Sequence, residues 1–208
     1  MMDKEFLHNL LEHKHEGACF HCYAAGYFKK LGLNGYAALH KHHSKEEYGQ
    51  YLDLMELYVE QFGELPTVSK SDPGVAKFHI DENADMPHKM EQGLEAYEDY
   101  EKEALAFFKE HKRKFNENDP YIRDLIKGTK DELKFIEELE DEMEDGKYHP
   151  DSINKLDQWL VKKYDKAGNQ VRDKYTNYGR NGTIHNYAYN DYSYHTAKPM
   201  GTWTDMLK

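Results

Sequence analysis

Four stretches of this chain, residues 3–31, 35–62, 87–116 and 120–144, repeat buried-type side chains every three or four positions, the stripe of an amphipathic helix. Phe6, Leu10, His13, Glu16/Gly17, Phe20, Tyr23/Ala24 and Tyr27 mark the first stripe, and Tyr36, Leu39, His43, Glu47, Gln50, Leu54 and Leu57 the second. The third runs through Met90, Leu94, Tyr97, Glu101, Ala104 and Phe108, and the fourth through Ile122, Leu125, Thr129, Glu132/Leu133, Ile136, Leu139 and Met143. Gly32 and Asn34-Gly35 separate the first two, and Asn118-Asp119-Pro120 separates the last two, with Pro120 suited to a first helical position. Short turns predict two antiparallel pairs. Residues 64–86, with Pro66, Pro73 and Gly74, carry no helical pattern, and a connection this long predicts a crossover between parallel helices.

After Gly146 and Pro150 a shorter helix is expected from Asp151, its cap, to about Lys166, burying Ile153, Leu156 and Leu160. The fold class is therefore all-α: a four-helix bundle over 1–146, a short fifth helix in 147–168 and a C-terminal arm over 169–208. The arm is rich in Tyr, Asn, Gly, Thr and His, and Tyr187, Tyr189, Tyr192 and Tyr194 alternate with small or polar residues. That pattern reads as a β-ribbon, an extended arm or a disordered tail.

The net charge of −11 is uneven: residues 166–208 hold six Lys/Arg against three Asp, and the rest holds 22 against 36. An acidic body speaks against nonspecific nucleic-acid binding. No apolar run reaches the roughly 18–20 residues of a membrane span, and the acidic N-terminus does not read as a signal peptide. The two cysteines, Cys19 and Cys22, lie three apart, which argues for a reducing, cytoplasmic compartment and against a disulfide framework. Cys19-Phe-His-Cys22 has no second ligand pair at zinc-site spacing, so core packing is its simpler reading.

Glu16, Glu47 and Glu101 fall where helical periodicity asks for apolar residues. An unpaired carboxylate in a bundle core is costly, so the three are expected to share a positive charge. A metal is one candidate, and buried pairing with lysine or arginine is the other. Glu47 and Gln50 share a helix face, and His43 lies four residues before Glu47 on that face. A location of His40, His42 and His43 at a subunit surface or bundle end is the plainer reading.

These segments resemble ferritin over roughly residues 5–145. Glu16-Gly-Ala-Cys-Phe-His-Cys-Tyr23 is similar to the first-helix pattern of a ligand Glu followed seven residues later by a Tyr. Gly32-Leu-Asn-Gly-Tyr36 resembles the turn into the second helix, Ser44-Lys-Glu46-Glu47 its Glu-Glu segment, and Tyr100-Glu101-Lys102 the third-helix ligand position. The resemblance implies a di-iron ferroxidase centre. In it Glu16 binds one iron, Glu47 bridges, Glu101 binds the second, Glu46 assists and Tyr23 hydrogen-bonds nearby. Two positions depart from the pattern: Gln50 stands where ferritin has a His, and the fourth helix offers Asp131, Glu132 and Lys134 where related proteins carry ligands. A lysine aimed at the centre would pair with Glu47 or Glu101 in place of metal.

The resemblance implies Fe(II) oxidation for iron storage or detoxification in a cytoplasmic homo-oligomer of the ferritin cage type, with no nucleic-acid or membrane partner. The competing expectation is a ferritin-like structural protein without activity, its C-terminal arm docking to a neighbouring subunit or a larger assembly.

Overall fold

A computed structural model of the chain describes residues 2–67, 77–116, 118–146 and 148–170. Among the described residues the structure is all-α, with α1 (Lys4–Lys30), α2 (Asn34–Phe62), α3 (Met86–Glu110), α4 (Pro120–Asp145) and α5 (Pro150–Lys163). No described helix is long and apolar enough to cross a membrane. The β-ribbon, arm and tail readings of 169–208 lie, beyond Gln170, outside the described residues.

Aspartates start three of the long helices. Asp3 accepts from Phe6 N, Asp85 from His88 N, and Asp119 from Tyr121 N and Ile122 N, each satisfying amides that the first turn leaves without helical partners. α2 has Leu33 at this position and no cap of its own. Asp157, on α5, supplies it from 122 residues away, accepting from Gly35 N at 2.7 Å and Tyr36 N at 3.1 Å. Gly35 is required for this approach, because a Cβ there would overlap the Asp157 carbonyl oxygen and sit 2.7 Å from Leu160 Cβ.

α1 and α2 run antiparallel: Phe28 meets Tyr36 at one end, and Lys14 meets Glu47 further along. α3 and α4 are likewise antiparallel, with Tyr97 bonded to Glu132 and Phe108 packed with Ile122 and Leu125. α2 and α3 run parallel, since His43 lies against Tyr97 and Leu54 shares a cluster with Phe108. Phe78 and Ile80, from the connection between them, are buried in the core.

Three sequence expectations shift. α3 ends at Glu110 rather than 116, because the chain turns so that Phe115 stacks on Phe6 at 4.9 Å. α5 ends at Lys163 and is capped by His149, which accepts from Asp151 N, so Asp151 lies in the first turn. Leu156 is half-buried, and Asp157 takes the buried position because it faces the start of α2.

The apolar core forms two clusters. One gathers Phe20, Phe28, Tyr36, Leu39, Met90 and Ile136 with their neighbours, and the other Phe6, Leu10, Leu54, Phe108, Ile122 and Leu125. Between them all four long helices turn polar.

Candidate metal centre

On α1 an uninterrupted heptad, Leu7, Leu10, Lys14, Gly17, His21, Ala24 and Phe28, is buried from end to end. It brings Lys14 and His21 inward two turns apart. α2 contributes His40, His43, Glu46, Glu47 and Gln50, all buried at spacings of three or four. α3 adds Tyr97, Tyr100 and Glu101, and α4 adds Thr129 and Glu132. This is a polar layer across the middle of the bundle, assembled from every long helix.

Lys14 Nζ donates to Glu47 Oε1 at 2.8 Å. His21 Nδ1 lies 3.0 Å from His40 Nδ1, and His21 Nε2 lies 3.9 Å from Glu101 Oε1. His43 Nδ1 is 3.2 Å from Glu132 Oε2 and 3.5 Å from Glu46 Oε2. The Tyr97 hydroxyl donates to Glu132 Oε2 at 3.1 Å. One ligand atom from each of His21, Glu101 and Glu132 lies within 4.8 Å of the others, and the same holds for His43, Glu46 and Glu132. Glu132 belongs to both groups. His21 Nε2, Glu47 Oε2, Gln50 Oε1 and Glu101 Oε1 are buried with no hydrogen bond among the described residues.

Electrostatics follow from removing four carboxylates from water around one lysine. Burial, then the charges of Glu132 and Glu47, push the Glu101 carboxyl well above the usual carboxylate range. Burial would strip Lys14 of its proton, but Glu47, Glu101 and Glu132 reverse this and raise its pKa. Burial and the neighbouring His43 lower His40 to about 3. Burial, with His40 and His43, holds His21 well below its ordinary value. Both rings are therefore neutral, the form that binds metal. Burial also carries the Tyr97 and Tyr100 hydroxyls well above their ordinary values, with Glu132 and Glu47 respectively adding to it.

The structure brings Glu46, Glu47, Gln50, Glu101 and Glu132 together in this layer. It places Glu16 outside, half-buried and paired with Lys77 at 3.0 Å and with His13. Tyr23 is 45% exposed on the outer face, and its ring meets Phe78 rather than the polar layer. Reading the α1 stripe at Glu16 and Tyr23 is thus displaced by two residues from the buried Lys14 and His21. Lys134 is exposed and pairs with Glu138, so Lys14 is the lysine that reaches Glu47. His40, His42 and His43 are buried within the chain rather than set at a surface, because they face α1 and α3 and the turn that follows α5. Cys22 is exposed and Cys19 half-buried, so core packing does not describe that motif; its inward residue is His21. The heptad from Leu7 to Phe28 was the available signal for both Lys14 and His21.

Two His/Glu triads sharing one carboxylate offer mixed nitrogen and oxygen donors, suited to first-row divalent metals. No protein-family model matches this chain, and no curated protein matches its sequence.

Proposed function

We propose that the polar layer is a dinuclear metal centre of the ferritin-like di-iron carboxylate class, and that the protein oxidises ferrous iron there for storage or detoxification. The observation that carries this reading is Glu132, common to two His/Glu triads drawn from four helices. The donor set fits: two imidazoles and three carboxylates converge, and buried donor atoms on His21 and Glu101 have no hydrogen bond among the described residues. An unsatisfied buried carboxylate oxygen is costly, and a cation removes that cost.

In this reading His21 and Glu101 hold one ion, His43 and Glu46 the other, and Glu132 serves both. Two ferrous ions together supply the two electrons that, with two protons, reduce one dioxygen to hydrogen peroxide. The chain's own residues prepare the site. For His21 to present Nε2, its Nδ1 must donate to His40, and that contact fixes the tautomer. The Tyr97 hydroxyl orients Glu132. Glu47 is drawn to Lys14 rather than to the triads.

That last contact favours a second reading, a charge-compensated structural core without metal. Anaerobic titration with ferrous iron, followed by exposure to air, separates the two. Binding of one ion per triad, and oxidation faster than the buffer blank, are expected in the wild type. Glu132→Gln should lose both ions. A wild-type chain that binds no iron overturns the metal reading in favour of the structural one.

A further inference from the structure

A hairpin after α5 reaches the proposed centre without touching it. Tyr164 and Gln170 form an antiparallel bridge. Asp165 closes the turn, its side chain accepting from Ala167 N at 2.8 Å and Asn169 N at 2.9 Å. The turn lies flat on α2: Lys41 Nζ donates to Lys166 O and Lys45 Nζ to Asn169 Oδ1, each at 3.2 Å. Gly168, at φ +81°, makes this fit, since a Cβ there would stand 2.7 Å from both His42 N and Lys41 Cβ.

Pressed beneath the turn is His42, buried and beside the buried Tyr164 ring at 5.0 Å. Its Nδ1 lies 3.0 Å from Gly168 O. A carbonyl only accepts, so Nδ1 donates. The opposite nitrogen, Nε2, lies 3.2 Å from Glu46 Oε1. One imidazole thus spans the hairpin and a carboxylate of the second triad.

We propose that His42 is a positioning residue for Glu46 and that the 164–170 hairpin is an outer layer of the metal centre, acting through it. The inference rests on the metal reading of the polar layer. Bonded to Gly168 through Nδ1 and set against Glu46 at Nε2, the ring has a single orientation and limits where the Glu46 carboxylate can lie beside His43 and Glu132. Released from Gly168, it turns, and that limit on Glu46 is lost. Partners of this kind are worth about 10–100-fold in metal affinity.

Cobalt(II), a stand-in for ferrous iron that air does not oxidise, is titrated into the full chain and followed by visible absorption. Gly168→Val cannot adopt the left-handed conformation easily and collides with α2, so it lifts the hairpin. It should weaken the Glu46-containing site by about tenfold or more and leave the His21–Glu101 site unchanged. His42→Asn keeps an N–H for Gly168 but cannot span to Glu46, and should weaken the same site. Adding Gly168→Val to His42→Asn should change nothing further. Thermal unfolding of the metal-free variants reports any purely structural loss, and if Gly168→Val does not fold, His42→Asn carries the test alone. Wild-type affinity in the variants, or an equal Gly168→Val effect in both backgrounds, overturns the role of the hairpin. A wild-type chain that binds no cobalt or iron overturns the metal reading itself.

Discussion

Lys14 and Glu47 form an ion pair of 2.8 Å across the α1–α2 interface, with side chains 5% and 7% exposed, inside a layer that holds three further carboxylates. Removing one partner strands the other charge away from water. Lys14→Met is expected to cost the metal-free protein about 3–5 kcal/mol, and Lys14→Met with Glu47→Leu to recover most of it. Urea unfolding of the two variants measures both. Equal losses in the single and double variants would show that packing, not charge, sets the cost.

Burial and the neighbouring carboxylates raise the pKa of Glu101 in the folded state well above the ordinary value. A raised folded value gives stability that is complete below the unfolded pKa and is lost as pH rises through the folded one. Glu101→Gln copies the protonated acid at every pH. The metal-free variant should match the wild type near pH 5 and melt at a higher temperature than it in alkaline buffer, while binding less metal. A wild type that gains on the variant as pH rises contradicts this assignment.

His40 has the opposite sign. Its folded value of about 3 lies below the ordinary 6.5. Its stability contribution is present above pH 6.5 and is lost as pH falls toward 3, and it amounts to a few kcal/mol. Glu101 opposes this over part of the same range, so the cleaner measurement uses the Glu101→Gln background. There, the urea midpoint should fall between pH 7 and pH 5. His40→Phe keeps a ring against Phe28 and should flatten that slope.

The cap that α5 lends to α2 can be tested in isolation from the metal centre. Asp157→Ala should cost about 1–2 kcal/mol, the usual worth of a capping side chain. Gly35→Ala should cost at least as much, because the added methyl meets the Asp157 backbone itself. The two changes touch, so the double variant should lose less than the sum. Thermal unfolding of all three decides it, and strict additivity would mean that the helix and its distant cap are energetically separate.

Helix positions were legible because their signals are local. Stripes, aspartate caps and proline at first positions sit within a few residues of the boundaries they mark, as Asp119-Pro120 does at α4. The α3 end and the buried position on α5 were misplaced where a distant contact, Phe115 on Phe6 or Asp157 on α2, overrides the local pattern. In the polar layer, Glu47, Gln50, Glu101 and Glu132 show as polar interruptions of apolar stripes. Lys14 does not, because a lysine reads as solvent-facing until its partner Glu47 is known. His21 was hidden between two cysteines that attract attention for their own chemistry. Hydrophobic periodicity locates a face to within a residue or two, and on α1 that margin separates Glu16 from Lys14.

Asp157 also sets an order of events in time. The amides of Gly35 and Tyr36 have their acceptor only when residue 157 exists and α5 has docked. On a chain emerging from the ribosome, α1 and α2 can pair long before that, but the first turn of α2 stays frayed until α5 is made. A nascent chain halted before α5 would hold its α1–α2 hairpin with an open end, the place where a chaperone or protease would first find it.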